Sequence, residues 1–356
     1  MSDDIRVLLA EDSPTARRYL AELIGIASDM IVVGEAQNGL AAVQMVADLR
    51  PDVVSMDINM PELDGLEATR RIMMQTPTPI VVVSELLEMD VQLSLRAIEA
   101  GALAVVGKPV HRDNPAFEAQ HHRLLTTLRA MAQVKVISRR SPRQVYPMGD
   151  DDPWPEVSSQ APSRALQPEL IVIGASTGGP SALLYLLQEL PETLTVPIVI
   201  AQHMPNEFIN GLMQWLNNVT HFNVMIANDQ MWLEKGMVVL VPGNANLTVT
   251  RNHQGNLLTR LQTDGDTPAH YLPSIDTLFE SVAEVVGPRA VGIILTGMGN
   301  DGARGLLAIR QAGGYTLVQD ESSSTVFGMP RAAIALGAAD QVIPLANLAS
   351  KIKKML

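Results

Sequence analysis

The sequence predicts an α/β protein in two parts. The first is an N-terminal (βα)5 domain with a parallel sheet, residues 1–136. A linker follows at 137–168, and then a doubly wound, mostly parallel α/β domain with an antiparallel hairpin at 169–356. Three observations carry this reading. Short apolar, β-branched runs alternate with helical periodicity along both parts, the pattern of parallel strands covered on both faces. Between them, 137–168 is rich in Pro, Ser, Arg, Asp and Gln, includes the triplet Asp150-Asp151-Asp152, and holds too few apolar residues to bury a core. The chain, at 356 residues, is long enough for two full cores.

In the first part, 5–10 is an apolar run that ends at Glu11-Asp12, and helical spacing follows over 14–26. Ile31 to Glu35 reads as a strand and 39–49 as a helix. The third strand runs from Asp52 to Asp57 and its helix covers 65–75. Pro79 to Ser84 is a buried strand followed by a helix at 90–100. Ala102 to Gly107 leads into Lys108-Pro109, and a last helix spans 115–132.

In the second part, strands are expected at 170–174, 196–202, 223–226, 237–241, 246–251, 256–261, 290–296, 315–319 and 341–343. Helices are expected near 180–189, 206–217, 274–286, 301–312 and 329–336. The pair flanking Asn252-His253-Gln254-Gly255 has the form of a hairpin.

Composition narrows the function classes. A net charge of −12 argues against a large nucleic-acid footprint, which needs a basic patch. Without cysteine there is neither a disulfide framework nor a thiolate metal site. The N-terminus carries acids where a signal peptide has bases, and no apolar window reaches the ~20 residues of a membrane span. A cytoplasmic protein with no direct membrane insertion is expected.

Glu11 and Asp12 end the first strand and Asp57 ends the third, so a doubly wound sheet gathers them at its switch point. Three clustered carboxylates repel unless a cation joins them, and an all-oxygen site suits Mg²⁺. Ser84 and Lys108, at the ends of strands four and five, face the same pocket in this topology. An ammonium and a hydroxyl beside a metal-bound carboxylate make a phosphoryl-acceptor site. The alternative for each residue is an ordinary solvated strand-end group, which becomes hard to sustain for five compatible residues. With Asp57-Ile58-Asn59-Met60-Pro61, Gly65 and Lys108-Pro109, the segment from 5 to about 130 resembles the receiver domain of two-component response regulators. The resemblance implies that Asp57 accepts phosphate from a histidine kinase. It also implies that Glu11, Asp12, Asp57 and the Asn59 carbonyl surround Mg²⁺, and that Ser84 and Lys108 contact the phosphoryl group. One departure is Val105, where family members often carry Tyr or Phe, so an aromatic switch on strand five is not expected.

Residues 171–180 read Ile-Val-Ile-Gly-Ala-Ser-Thr-Gly-Gly-Pro, an apolar run ending in a glycine-dense turn before a helical pattern. Ser176 therefore stands at the carboxyl edge of a sheet, with amides of the following helix aimed the same way. The competing reading is a phosphate-cradling loop, which wants an acid at the end of the next strand. His203 stands there instead, directly after the run ending at Gln202. Asp301 follows the strand at 290–296 and a glycine-rich turn; it reads as the third member of a Ser-His-Asp set, as an N-cap for the helix at Gly302-Ala303, or as both. The turn lacks the G-x-S-x-G spacing of the α/β-hydrolases.

The second part is similar to the catalytic domain of the chemotaxis protein-glutamate methylesterases, the CheB family. The matching stretches are Gly174 to Pro180, Gln202-His203-Met204-Pro205 with Phe208, Pro273 to Asp276, Leu295 to Ala303, and Gly328-Met329-Pro330. The resemblance implies hydrolysis of glutamate γ-methyl esters on cytoplasmic helices of methyl-accepting chemotaxis receptors, with Ser176 as nucleophile, His203 as base and Asp301 as its partner. The backbone N–H of Met298 is implied as an oxyanion donor. No cofactor is implied for the ester hydrolysis. Deamidation of receptor glutamines, phosphorylation by a kinase of the CheA type, and an unphosphorylated receiver that covers the catalytic face are further implications. The rival class is a response regulator with a non-catalytic binding output domain.

Overall fold

In the first sheet the runs β3 (Val53–Met56) and β4 (Ile80–Ser84) are buried at every residue, as strands covered on both faces must be. The computed structural model describes residues 4–84, 91–134, 167–204, 206–263 and 272–356. It divides into two compact units, Met1–Met148 and Gly149–Leu356. Nearly all of the expected linker at 137–168 lies outside the described residues, as do Pro205 and His270.

The first unit alternates β1 (Ile5–Ala10), α1 (Pro14–Gly25), β2 (Met30–Ala36), α2 (Gly39–Leu49), β3, α3 (Gly65–Gln75), β4, α4 (Val91–Ala100), β5 (Ala104–Gly107) and α5 (Phe117–Ala132). The five strands pair in parallel in the order β2-β1-β3-β4-β5. The order reverses between β1 and β3, and the carboxyl ends of those two strands carry the acids. Helix starts follow local chemistry: the side chains of Ser13, Asn38 and Asp64 accept the N–H of Ala16, Ala41 and Glu67. Leu8, Val54, Met56, Ile72 and Val82 share a fully desolvated core, each such side chain contributing about 1.5–3 kcal/mol. Val105 is partly buried and packs against this core.

The second unit holds β6 (Leu170–Ala175), α6 (Gly179–Glu189), β7 (Ile198–Gln202), α7 (Asn206–Val219), β8 (Val224–Ile226) and β9 (Val238–Leu240). A hairpin follows, β10 (Ala245–Arg251) and β11 (Leu257–Thr263), then α8 (Ile275–Val285), β12 (Ala290–Ile294), α9 (Ala303–Gln311), β13 (Tyr315–Gln319), α10 (Met329–Ala335), β14 (Gln341–Ile343) and α11 (Leu345–Lys353). Seven strands form one sheet, β14-β13-β12-β6-β7-β9-β8, parallel throughout. The β10–β11 hairpin pairs antiparallel as a separate ribbon. Helix α8 packs on β10 and on α9, with Leu278, Phe279 and Val282 in the main core. The C-terminal helix α11 was not expected from the sequence; it buries Leu345, Leu348, Ala349 and Ile352 on one face.

Candidate active site

Strand β6 lies between β7 and β12, so the residues that follow these three strands meet at one carboxyl edge. Ala175 and Gln202 are the last ladder pair of β6 and β7, and His203 donates its N–H to the Ala175 carbonyl at 2.9 Å. Ser176 and His203 therefore leave neighbouring strands side by side. The turn after β12 approaches from the other flank: a Cβ at Gly297 would lie 2.8 Å from the Ser176 Cβ.

His203 Nε2 sits 2.8 Å from Asp301 Oδ2. A carboxylate only accepts, so Nε2 carries a proton, and in the neutral ring the lone pair is on Nδ1. Asp301 is buried, which by itself would raise its carboxyl pKa. Hydrogen bonds from His203 and from the main-chain N–H of Ile275 and Asp276 outweigh that and hold it below the usual carboxylate range. The Ser176 hydroxyl makes no hydrogen bond among the described residues; Ser176 and His203 directly follow Ala175 and Gln202, the last ladder pair of β6 and β7.

Two expectations need correction. Asp301 is not the side-chain cap of α9. That helix begins at Gly302 in the left-handed region (φ 86°) with no capping side chain. Asp301 instead accepts Ile275 N–H at 2.8 Å and Asp276 N–H at 3.0 Å, the first amides of α8, and Gly302 N–H at 3.0 Å. Nor do all the amides at the start of α6 face outward, because Gly179 N–H donates to the Ser176 carbonyl at 2.8 Å. Among the described residues, the main-chain N–H of Met298 has no hydrogen-bond partner, and the residue is 45% exposed.

Two buried polar side chains that sequence reasoning passed over hold this edge. Thr296 Oγ1 donates toward the Thr177 carbonyl (3.0 Å) and the Val326 carbonyl (3.2 Å), and accepts Val326 N–H at 2.8 Å. Gln319 Oε1 accepts Thr296 N–H at 2.8 Å while its Nε2 donates to the Ser323 carbonyl at 2.7 Å. Thr296 lies within the stretch Leu295 to Ala303 that resembles the family, although the resemblance assigns it no role; the only sequence signal of Gln319 is a polar residue at the end of an apolar strand.

In the first unit, Glu11, Asp12 and Asp57 each place a carboxylate oxygen within 4.8 Å of the others. Lys108 Nζ reaches Glu11 Oε2 at 2.7 Å and Asp57 Oδ2 at 3.3 Å. Burial pushes the Asp57 carboxyl up, against the pull of Lys108 and of the Ile58 N–H that it accepts at 2.8 Å. Burial pushes Glu11 up as well, Lys108 opposing and Asp57 adding to the rise. Burial alone would lower the Lys108 ammonium; Glu11 and Asp57 together hold it above its ordinary value. The Asn59 carbonyl accepts no hydrogen bond among the described residues. Hard oxygen donors of this number suit a hard divalent cation. Ser84 is buried at the end of β4. The loop carrying Lys108 is clamped, since the Val110 carbonyl accepts the Tyr19 hydroxyl (2.7 Å) and its N–H donates to Gln120 Oε1 (2.9 Å).

Residues 171–352 match the CheB methylesterase family model and residues 7–115 match the response regulator receiver domain. The chain belongs to the CheB family. All three residues of the candidate active site fall inside the first match, and the acidic cluster falls inside the second. Over 351 residues, 99% of the chain and 97% of the relative, it is 44% identical to protein-glutamate methylesterase/protein-glutamine glutaminase 4 of Myxococcus xanthus. It is 40% identical to a similarly named protein of Methanospirillum hungatei over 99% of the chain and 98% of that relative. Among solved structures, the Thermotoga maritima CheB methylesterase catalytic domain matches with a TM-score of 0.51 at 32% identity, covering 53% of this chain and 99% of that one. Among the described residues no helix is long and apolar enough to cross a membrane.

Proposed function

We propose that this chain is a phosphorylation-regulated protein-glutamate methylesterase, with a receiver at 1–136, a linker at 137–168 and a catalytic domain at 169–356. The observation that carries the reading is the 2.8 Å contact of His203 with Asp301 at the strand end adjoining Ser176. Ser176 Oγ attacks the ester carbonyl carbon as His203 Nδ1 takes its proton. The imidazolium forms against Asp301, whose charge is secured by three main-chain N–H donors. The oxyanion develops beside the N–H of Met298; a donor of this kind is worth about 3 kcal/mol to the transition state. His203 then gives its proton to the departing methoxide, and methanol leaves. A water molecule, deprotonated by the same nitrogen, attacks the acyl-serine and releases glutamate. The same acyl chemistry deamidates glutamine, with ammonia in place of methanol, in keeping with the names of the relatives.

The substrate is a glutamate γ-methyl ester on the cytoplasmic helices of chemotaxis receptors, which places the enzyme in the cytoplasm. In the receiver, Asp57 accepts a phosphoryl group from a histidine kinase of the CheA type. Glu11, Asp12, Asp57 and the Asn59 carbonyl would hold Mg²⁺, which would supply positive charge against the transferring phosphoryl. Lys108 holds a second positive charge on the same side and Ser84 offers a hydroxyl. A ~100-fold activation needs a differential stabilisation of about 2.7 kcal/mol between inhibited and active forms.

Methanol release from methylated receptor, with and without a small-molecule phosphodonor, tests the reading. Release is expected, stimulated by the donor, and lost in Ser176→Ala with the circular dichroism spectrum unchanged. Binding of receptor without methanol release would point to a non-catalytic output domain and overturn it.

A further inference from the structure

The ladder between β6 and β7 ends at Ala175 and Gln202. The chain after β6 turns into α6, and the chain after β7 leaves the sheet at His203. One side chain links the two segments beyond the ladder. Gln202 is 1% exposed, and its Nε2 donates to the Ser176 carbonyl at 2.9 Å and to the His203 carbonyl at 3.1 Å. Both hydrogens of the amide are thereby used on the two residues that the chemistry must keep together. The Ser176 carbonyl also accepts Gly179 N–H at 2.8 Å, so it is fixed from two directions.

The other end of the amide is unusual. Gln202 Oε1 is buried and has no hydrogen-bond partner among the described residues. The reverse amide orientation would set this oxygen against two carbonyl oxygens, so the partners decide the orientation. Oε1 lies against the first residue of α6: a Cβ at Gly179 would fall 2.0 Å from it. Leaving a buried acceptor without a donor costs stability, about 1–3 kcal/mol. A side chain kept for stability alone would not be expected to carry that cost when an apolar residue of the same length fits the space.

We infer that Gln202 is a positioning residue, whose amide holds Ser176 and His203 at working separation by bridging their main-chain carbonyls. The inference rests on the proposed roles of Ser176 and His203. It acts through the backbone, because the reach of Oγ to the imidazole is set by where the two carbonyl-bearing turns stand. Small displacements of reacting groups are costly, a 1 Å misplacement costing on the order of 100-fold.

The test compares Gln202→Met, Gln202→Glu and Gly179→Ala in the full chain, with kcat, KM and the folded fraction measured together. Gln202→Met removes both donors at nearly constant length. Gln202→Glu sets a carboxylate oxygen where the donors were. Gly179→Ala leaves Gln202 in the sequence but drives its amide aside. For molecules that remain folded, kcat of methanol release is expected to fall about 10-fold or more with KM within about twofold, because oriented geometry and not ester binding is lost. Gln202→Glu is expected to be the most impaired. A purely structural role would lower the melting temperature and leave kcat per folded molecule unchanged, and that result in any one variant overturns the inference. Ser176→Ala is run alongside. If it retains turnover, the proposed function fails; if it is inactive while the Gln202 and Gly179 variants turn over normally, only the positioning role fails.

Discussion

Asp301 binds His203 and the start of α8 with the same carboxylate oxygen: Oδ2 accepts His203 Nε2 and Ile275 N–H, each at 2.8 Å. Its other oxygen takes Asp276 and Gly302 N–H, each at 3.0 Å. An asparagine here supplies one accepting oxygen and sets an amide against donors. Asp301→Asn is therefore expected to do two things. kcat/KM should drop on the order of 10⁴-fold, as when the acid of a comparable triad is amidated. Stability should fall by about 1.5–3 kcal/mol for the main-chain donors left unpaired. Steady-state methanol release and a urea unfolding curve measure the two effects separately.

The depressed pKa of Asp301 fixes the direction of its pH dependence. A carboxyl lowered by folding contributes stability that is complete above its unfolded value, about 3.9, and is lost as pH falls through the lowered folded value. On acidification, Asp301 should therefore keep its charge to lower pH than an ordinary aspartate, and Asp301→Asn should lose its stability deficit only at the acid end. Urea unfolding of both proteins over an acid pH series measures this; a deficit that is already gone at the ordinary aspartate value would contradict it.

Thr296 holds the turn that carries Ser176 and Thr177 through its hydroxyl. Thr296→Val keeps the shape and removes the hydroxyl, leaving the Val326 N–H without its acceptor, at a cost of about 1–3 kcal/mol. kcat should fall with little change in KM. Thermal melts and Michaelis–Menten curves on the one variant decide this.

The receiver has the opposite pH sign. Burial raises the Asp57 carboxyl, so its contribution to folding is full below the unfolded value and is lost as pH rises through the raised one. Mg²⁺ requires the ionised form. Its stabilisation of the chain should thus weaken, as pH falls, sooner than an ordinary aspartate would allow. Asp57→Asn should abolish both the Mg²⁺-induced rise in melting temperature and the stimulation by phosphodonor, with basal hydrolysis retained. Differential scanning calorimetry over a pH series with and without Mg²⁺ reads this.

Strand ends were the legible part of this sequence. The run ending at Gln202-His203 and that ending at Ala175-Ser176 are apolar until their last residues, and a parallel sheet must put both ends on one edge. Asp57 and Lys108 stood out for the same reason. What stayed hidden depends on partners distant in the chain. Asp301 looks locally like a cap for the helix that follows it, yet the amides it serves lie 26 and 25 residues upstream, in α8. Thr296 and Gln202 carry their roles through carbonyls of turn residues, Thr177 and Val326 for the one and Ser176 and His203 for the other, which no spacing along one strand reveals. Helix α11 escaped because it is short, 9 residues, and has no side-chain cap at its start; its stability comes from the face it buries.

The shared use of Asp301 bears on how distant chains of this kind should be judged for loss of activity. A duplicate that had stopped turning over esters would still need an acid at 301 to start α8, so selection on the scaffold alone would preserve it. The hydroxyl at 176 tethers nothing in the described fold, and a silent copy would be free to shed it. Serine at that position, more than the aspartate, is the mark of a working lineage.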